Sequence, residues 1–243
     1  VSNFMNVLNT DEYITMREEA FANDNREQTS SNAYDLLEWD RARYTDWQEE
    51  LIGGSSYINN IYANLSGGSD QTTFRFGGGY RDESVVFPGD FGNQRITGQL
   101  NLNHYSSDQK FHANITTSYT HENNDLLASD PTLEALTLPP NAPSLYNDNG
   151  ELNWADNTWD NPMADFYQTY TSKIETFNAN AHLSYEFIKG LKGILNAGYN
   201  TMNIYEVQTT PQSSYNPNTL GNRRASTVNT GGRSIWILEP QLA

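Results

Sequence analysis

The chain has 243 residues, with 14 basic and 30 acidic side chains, a formal charge of −16 and no cysteine. Such acidity with only four Lys excludes a nucleic-acid-binding surface, which needs clustered cations, and zero Cys excludes disulfide frameworks, Cys-ligated zinc and thiol catalysis. Leu, Ile, Val and Phe total 48 residues, near the composition border of disorder, yet 12% of the chain is aromatic, so it is structured without a conventional aliphatic core.

In chain order, the first expected element is a short helix over about 10–22. Asn9 with Glu12 three residues later forms a capping box, and Tyr13, Met16 and Ala20 follow at helical spacing. Residues 23–50 read as loop, dense in Asp, Glu, Asn and Ser, with Trp39 and Trp47 embedded. Residues 1–56 therefore form a loop region with one short helix.

From 57 onwards the period changes to two, the signature of strands with one apolar and one polar face. A weak strand at 57–66 carries Ile61, Ala63 and Leu65. The next puts Phe74, Phe76, Gly78 and Tyr80 opposite Thr73, Arg75, Gly77 and Arg81. Ile96, Gly98, Leu100 and Leu102 then oppose Arg95, Thr97, Gln99, Asn101 and Asn103. Phe111, Ala113, Ile115, Thr117 and Tyr119 oppose His112, Asn114, Thr116, Ser118 and Thr120. Phe177, Ala179, Ala181, Leu183, Tyr185 and Phe187 oppose Asn178, Asn180, His182, Ser184 and Glu186. Leu191, Gly193, Leu195, Ala197 and Tyr199 repeat the scheme, and a last strand starts near Arg233 and runs through Trp236 and Leu238. The hairpins are expected at 57–83, 95–123 and 173–206.

Short links rich in turn residues (Ser66 to Asp70, Ser107 to Gln109, Ile188 to Gly190) alternate with long ones (84–94, 125–172, 208–232), and of the nine Pro only Pro240 falls within a strand. No run of about 18 apolar residues provides a membrane helix. Short turns at one end, long loops at the other and alternating strands of about ten residues are instead the pattern of a transmembrane β-barrel, whose apolar residues recur at every second position. Tyr57, Tyr80, Tyr105, Tyr119, Tyr185, Phe187, Tyr199 and Tyr205 are the expected interfacial aromatics. The competing reading is a soluble antiparallel sandwich, but a sandwich core favours Val and Ile and only six Val occur. The fold class is thus all-β: an antiparallel up-and-down barrel segment of six or seven strands with long extracellular loops.

No catalytic constellation is found. His104, His112, His121 and His182 lack metal-ligand spacing, so no metal is assigned. Acid pairs such as Asp82/Glu83 and Glu49/Glu50 read as solvated loops rather than as a glycosidase pair. Gly77-Gly78-Gly79 lies inside a strand and is no phosphate loop, so no cofactor is expected; it lets a backbone approach closely. Trp154 and Trp159 flank a polar stretch suited to stacking on sugars, and with Trp39 and Trp47 they are the candidate substrate or partner contacts, or else anchors of their own loops. Asn147-Asp148-Asn149-Gly150 offers oxygen ligands for calcium or a plain turn.

Particular strings carry a family likeness. Leu8-Asn9-Thr10-Asp11-Glu12-Tyr13, Met16-Arg17-Glu18-Glu19-Ala20-Phe21, Tyr44-Thr45-Asp46-Trp47-Gln48 and Phe87-Pro88-Gly89-Asp90-Phe91 resemble stretches of the SusC/RagA family of TonB-dependent outer-membrane transporters. So do Leu136-Thr137-Leu138-Pro139-Pro140-Asn141-Ala142-Pro143, Leu145-Tyr146, Gly150-Glu151-Leu152-Asn153-Trp154, Tyr215-Asn216-Pro217 and Ile237-Leu238-Glu239-Pro240-Gln241. The resemblance implies a nutrient importer in the outer membrane of Bacteroidetes, contacting lipid outside and taking up oligosaccharides or peptides with a SusD-like lipoprotein. Its barrel is 22-stranded and plugged. The plug and the segment that meets the TonB complex are not found, so the chain is expected to be a fragment of such a barrel. The alternative is a soluble β-rich carbohydrate-binding module.

Overall fold

The computed structural model describes residues 4–220 and 223–243. Three helices precede the sheet: α1 (Thr10–Asn23), α2 (Tyr34–Leu37) and α3 (Trp47–Ile52). The capping box forms as expected, Glu12 N–H donating to Asn9 Oδ1 at 3.0 Å and Asn9 N–H to Glu12 Oε2 at 3.0 Å. One short helix was expected, and α2 and α3 correct that reading. Asp46 caps α3, its carboxylate accepting from the N–H groups of Gln48 and Glu49.

Seven strands follow: β1 (Ile58–Gly68), β2 (Thr72–Ser84), β3 (Gly92–Tyr105), β4 (Phe111–Leu127), β5 (Thr169–Ile188), β6 (Leu191–Thr210) and β7 (Ala225–Leu242). They pair in sequence order, each antiparallel to the next, as an up-and-down meander. The tight turns join β1 to β2, β3 to β4 and β5 to β6, the last through Gly190 at φ +86°. Within the long connections lie α4 (Thr132–Thr137), α5 (Met163–Phe166) and α6 (Pro217–Leu220). Several strands outrun the alternation that revealed them. Strand β7 begins at Ala225 rather than near Arg233, and β5 at Thr169 rather than near 173.

Register keeps the two faces separate across the whole sheet. One row runs Leu65, Phe76, Leu100, Thr117, Ala179, Tyr199, Trp236, and the next runs Gly67, Phe74, Leu102, Ile115, Ala181, Ala197, Leu238. Tyr199 thus stands in mid-strand beside Trp236 and Phe177, not in an end belt. Tyr105 pairs with His112 on the polar face and stacks on its ring at 4.2 Å, so it too leaves the expected belt.

The polar face is a lattice of carboxamides and hydroxyls. Asn103, Asn114, His182, Asn196 and Glu239 form one row. His182 Nδ1 lies 2.7 Å from Asn196 Oδ1, His112 Nε2 lies 2.8 Å from Asn103 Oδ1, and Asn200 donates to Asn178. Charge on this face is balanced: Arg75, Arg81, Arg95, Lys192 and Arg233 are matched by Glu83, Glu122, Glu186, Glu206 and Glu239.

The apolar face has no cover among the described residues. Phe76 is 52% exposed, Leu65 63% and Trp236 74%. Both buried hydrophobic clusters lie instead in the helices and loops at the long-loop end.

The glycines at 77, 78 and 98 differ by face. A Cβ on Gly77 would stand 2.7 Å from Asn64 Oδ1 and 2.8 Å from Gln99 Nε2, whereas one on Gly98, directly paired with Gly78, meets nothing within 4 Å. Gly98→Val is therefore expected to stabilise β3 by up to about 1 kcal/mol through strand propensity. Gly77→Val is expected to destabilise, because two side chains must move. Urea midpoints of the two variants check the opposite signs.

Candidate functional site at the long-loop end

The N-terminal region is tied to the long loops on either side of α3. Thr45 N–H donates to Pro140 O at 2.8 Å, and Gly54 N–H donates to Val86 O at 3.0 Å. Asn216 Nδ2 donates to Asn157 Oδ1 at 2.7 Å, joining the β6–β7 loop to the β4–β5 loop. The result is a cap with its own core, in which Trp39, Trp47, Leu51, Ala135, Ala142 and Trp159 are all buried.

Three of the four candidate tryptophans build that core. Trp47, Trp159 and Trp39 are 3%, 7% and 9% exposed. Trp159 lies 6.0 Å from Trp47 and 6.4 Å, edge-on, from Trp39. Each indole N–H is satisfied: Trp39 donates to Thr158 Oγ1 (2.8 Å), Trp47 to Pro139 O (2.8 Å) and Trp159 to Asn153 O (2.9 Å). Their rings are occupied by one another and present no open stacking face. Trp154 is half-buried and precedes a turn in which Ala155, Asp156 and Asn157 all have positive φ. Asn147 Oδ1 accepts from the N–H groups of Asn149 and Glu151, closing a plain turn at the stretch weighed for calcium. His112 and His182 lie 5.9 Å apart between ring centres, and no group of three or more potential ligands occurs among the described residues.

A second anchor is ionic. Asp35, with its side chain 4% exposed, accepts from Arg17 Nε at 2.6 Å, Arg17 Nη2 at 3.0 Å and the Tyr13 hydroxyl at 2.8 Å. Its backbone carbonyl accepts from Asn141 Nδ2 at 2.8 Å, which carries the tie from α1 and α2 to the β4–β5 loop. Burial raises the Asp35 pKa, but the hydrogen bonds from Arg17 and Tyr13 outweigh it and hold the carboxyl below its ordinary value. Burial, then the Asp35 hydrogen bond and charge, push the Tyr13 hydroxyl well above the ordinary phenol range.

Where β2 to β5 leave the sheet, the β2–β3 loop roofs a cavity of about 640 Å³. Its lining includes Tyr57, Phe87 and Phe91 beside Asn93, Asn123 and Asn124, with Asp82, Glu83, Asp90 and Asp125 around it and Lys173 as the one cation. Phe91 packs on Phe166 of the β4–β5 loop at 6.5 Å, so two loops fix the roof. Mixed aromatic and convergent polar lining of this volume is the composition of a small-ligand site. The sequence pattern did not mark it, because its residues come from four strand ends and two loops.

Charge distinguishes this end from the rest. The strands hold six basic and eight acidic side chains, leaving −14 of the −16 to the segments between them. The tight turns balance (Asp70 and Asp108 against Lys110 and Lys189), so the whole excess lies at the long-loop end.

Two outcomes are expected. Trp47→Ala or Trp159→Ala should cost the cap roughly 3–5 kcal/mol as a truncated core aromatic, and Trp154→Ala markedly less; limited proteolysis within 128–168 reads the difference. The depressed Asp35 pKa contributes stability in full above the unfolded carboxylate value of about 4, and that stability is lost as pH falls through the lower folded value. The raised Tyr13 pKa acts at the other limit: its contribution is complete below about pH 10 and is lost as pH rises through the folded value. Hydrogen-exchange protection factors of the α1 and α2 amides, taken relative to the intrinsic rate at each pH, should therefore fall at both extremes, and Asp35→Asn should abolish the acid limb.

No protein-family model matches the chain, and no curated protein does. Solved structures do. The chain is similar to the RagAB peptide transporter (TM-score 0.64, 19% identity, 87% of this chain and 27% of that one). It is similar to the RagAB peptide importer in its open-open state (TM-score 0.68, 18% identity, 94% of this chain and 29% of that one). The closed-closed state gives a TM-score of 0.65 at 17% identity, over 94% of this chain and 30% of that one. The chain therefore spans less than a third of the length of these relatives, and at such identities the likeness is one of fold. What it establishes is that this seven-stranded antiparallel meander has the fold of part of a β-barrel transporter.

Proposed function

We propose that the chain forms part of the wall and mouth of an outer-membrane nutrient importer of the SusC/RagA type. Lipid lies against the apolar face and a hydrated lumen against the carboxamide face. One observation carries this reading: an apolar face continuous over seven strands, uncovered, beside a cap that has its own separate core. A soluble sandwich buries such a face against a second sheet. A lipid-facing wall leaves it bare, and accepts the thin residues Ala63, Gly78, Gly98, Ala113, Ala179, Ala181 and Ala197 that would make a poor packed core.

In this role the chain conducts rather than reacts. The Asn, Ser and Thr rows offer donors and acceptors to a polar solute without a fixed charge to hold it. Peptides are the substrate class that the names of the structural neighbours favour, and oligosaccharides the class expected from the sequence resemblance; the carboxamide wall suits both. A SusD-like lipoprotein is the partner proposed at the mouth, and the TonB complex the energy source, met through a segment other than this one.

The test is a pair of substitutions one residue apart. Leu100→Arg, in the apolar band, should cost roughly 2–4 kcal/mol of folding in lipid and lower the outer-membrane yield. Gln99→Arg, on the polar face, should be tolerated. Recovery of the full-length protein as a water-soluble monomer without detergent would overturn the transporter reading and favour a soluble carbohydrate-binding module.

A further inference from the structure

Much of the polar face satisfies itself. His112 is bonded to Asn103, Asn178 to both Asn200 and Ser118, and Arg95 to Glu122. At one place it does not: the side chains of Asn114, Asn180 and Glu239 make no hydrogen bond or ion pair among the described residues. Register brings these three together. Asn114, His182, Asn196 and Glu239 form one row across β4 to β7, and Asn180 stands one step from it towards the long-loop end.

The wall is hollow at that point. Asn180 pairs with Gly198 and Gly198 with Ile237, so this stretch of the face has no side chain at its centre, and a cavity of about 260 Å³ opens among these residues. A Cβ on Gly198 would stand 2.8 Å from Ile237 Cγ2 and 3.3 Å from Asn180 Oδ1. The hollow therefore exists because residue 198 is glycine, and a glycine inside a strand marks a place where another group can approach closely. Asn114, Asn180, His182, Asn196, Ile237 and Glu239 all carry the phase of the polar face, so the hollow opens on the side assigned to the lumen.

We propose that this hollow is a subsite for one uncharged sugar ring of a solute passing along the polar face. The inference rests on the transporter reading and narrows its substrate class to oligosaccharides. The volume lies just under the ~300 Å³ at which pockets for drug-sized ligands begin, which suits a single ring. A hydroxyl both donates and accepts, and the lining answers both functions. Asn114 and Asn180 can do either, and the Glu239 carboxylate accepts. Asn196, its oxygen occupied by His182 Nδ1 at 2.7 Å, keeps its amide N–H groups to donate. Neighbouring strands set these groups about 4.8 Å apart, so hydroxyls spread around one ring reach several of them. Ile237 offers an aliphatic flank to the C–H face of the ring. A peptide group, with one N–H and one C=O per residue, leaves most of these donors and acceptors unmet, and an unmet polar group that loses its water is costly.

Photocrosslinking reads the position of the solute on the wall. The full-length protein in detergent is exposed to two diazirine-bearing probes of similar length, a neutral hexose oligomer and an uncharged peptide, and the adducts are mapped by mass spectrometry. Sugar adducts should concentrate on 112–116, 178–182, 194–200 and 235–241, exceed peptide adducts there, and be displaced by excess unlabelled oligomer. Asn114 is half-buried and Asn180 exposed, both without side-chain partners, so Asn114→Ala with Asn180→Ala keeps the fold. That double variant should lower the labelling roughly tenfold, the loss of two ordinary hydrogen bonds. Asn101→Ala, on the same face two strands from Asn180, should leave it unchanged. The proposal is overturned by adducts confined to other segments, by labelling insensitive to the unlabelled oligomer or to the double variant, by preference of these strands for the peptide, or by no labelling. None of these results bears on the membrane location, which the solubility test decides.

Discussion

Strand register is the constraint on which the rest depends. Side chains alternate faces with a period of two, so a slip of one residue in any pairing would carry Phe74, Phe76 and Tyr80 to the side of Asn101 and Asn103. Six successive pairings hold the phase, and the one irregularity, at Glu186 and Ile188, falls beside the turn where pairing is ending. Because phase is kept, both faces are continuous surfaces rather than patches. Everything attributed to the wall, dry on one side and hydrogen-bonding on the other, follows from that.

The cap answers a different requirement. Segments as long as 128–168 cannot borrow a core from a wall whose apolar face points away from them. They build one from tryptophans, with Leu51 fully buried at its centre. The Asp35 cluster is the polar counterpart of that core. It holds α1 and α2 to each other and, through Asn141, to the chain more than a hundred residues away. Local helix propensity has little part in this: α2 spans a single turn and persists through its contacts.

The sequence made the sheet legible because alternation is a local signal. Phe74, Phe76 and Tyr80 declare their face without reference to any other strand. The capping box at Asn9 and Glu12 was legible for the same reason. Strand ends were not, since β5 and β7 continue into stretches such as 225–232 where both faces are polar and the period carries no contrast. Helix α3 had a readable sign in Asp46, but six residues hold too little pattern to outweigh an acidic, loop-like composition. The tryptophans at 39, 47, 154 and 159 stood out by type alone. Whether an indole faces a ligand or a neighbouring indole depends on partners such as Thr158 and Pro139, 119 and 92 residues distant, and no local pattern encodes that. The net charge was likewise legible as a sum but not as a distribution. Only the paired strands show that the polar face is balanced and that the excess lies in the segments between them.

Strand length has a mechanical consequence. β5 and β6 have 20 residues each, and a strand of that length reaches on the order of 65 Å. Tilted at ~45°, it still rises about 45 Å, against a hydrocarbon layer of ~30 Å. In the proposed bilayer setting the tall strands outreach the hydrocarbon layer by about 15 Å and rise through the headgroup region as a stiff parapet. The cap is mounted on that parapet, beyond the hydrocarbon layer, so bending or thinning of the membrane reaches it through a hydrogen-bonded sheet that resists shear.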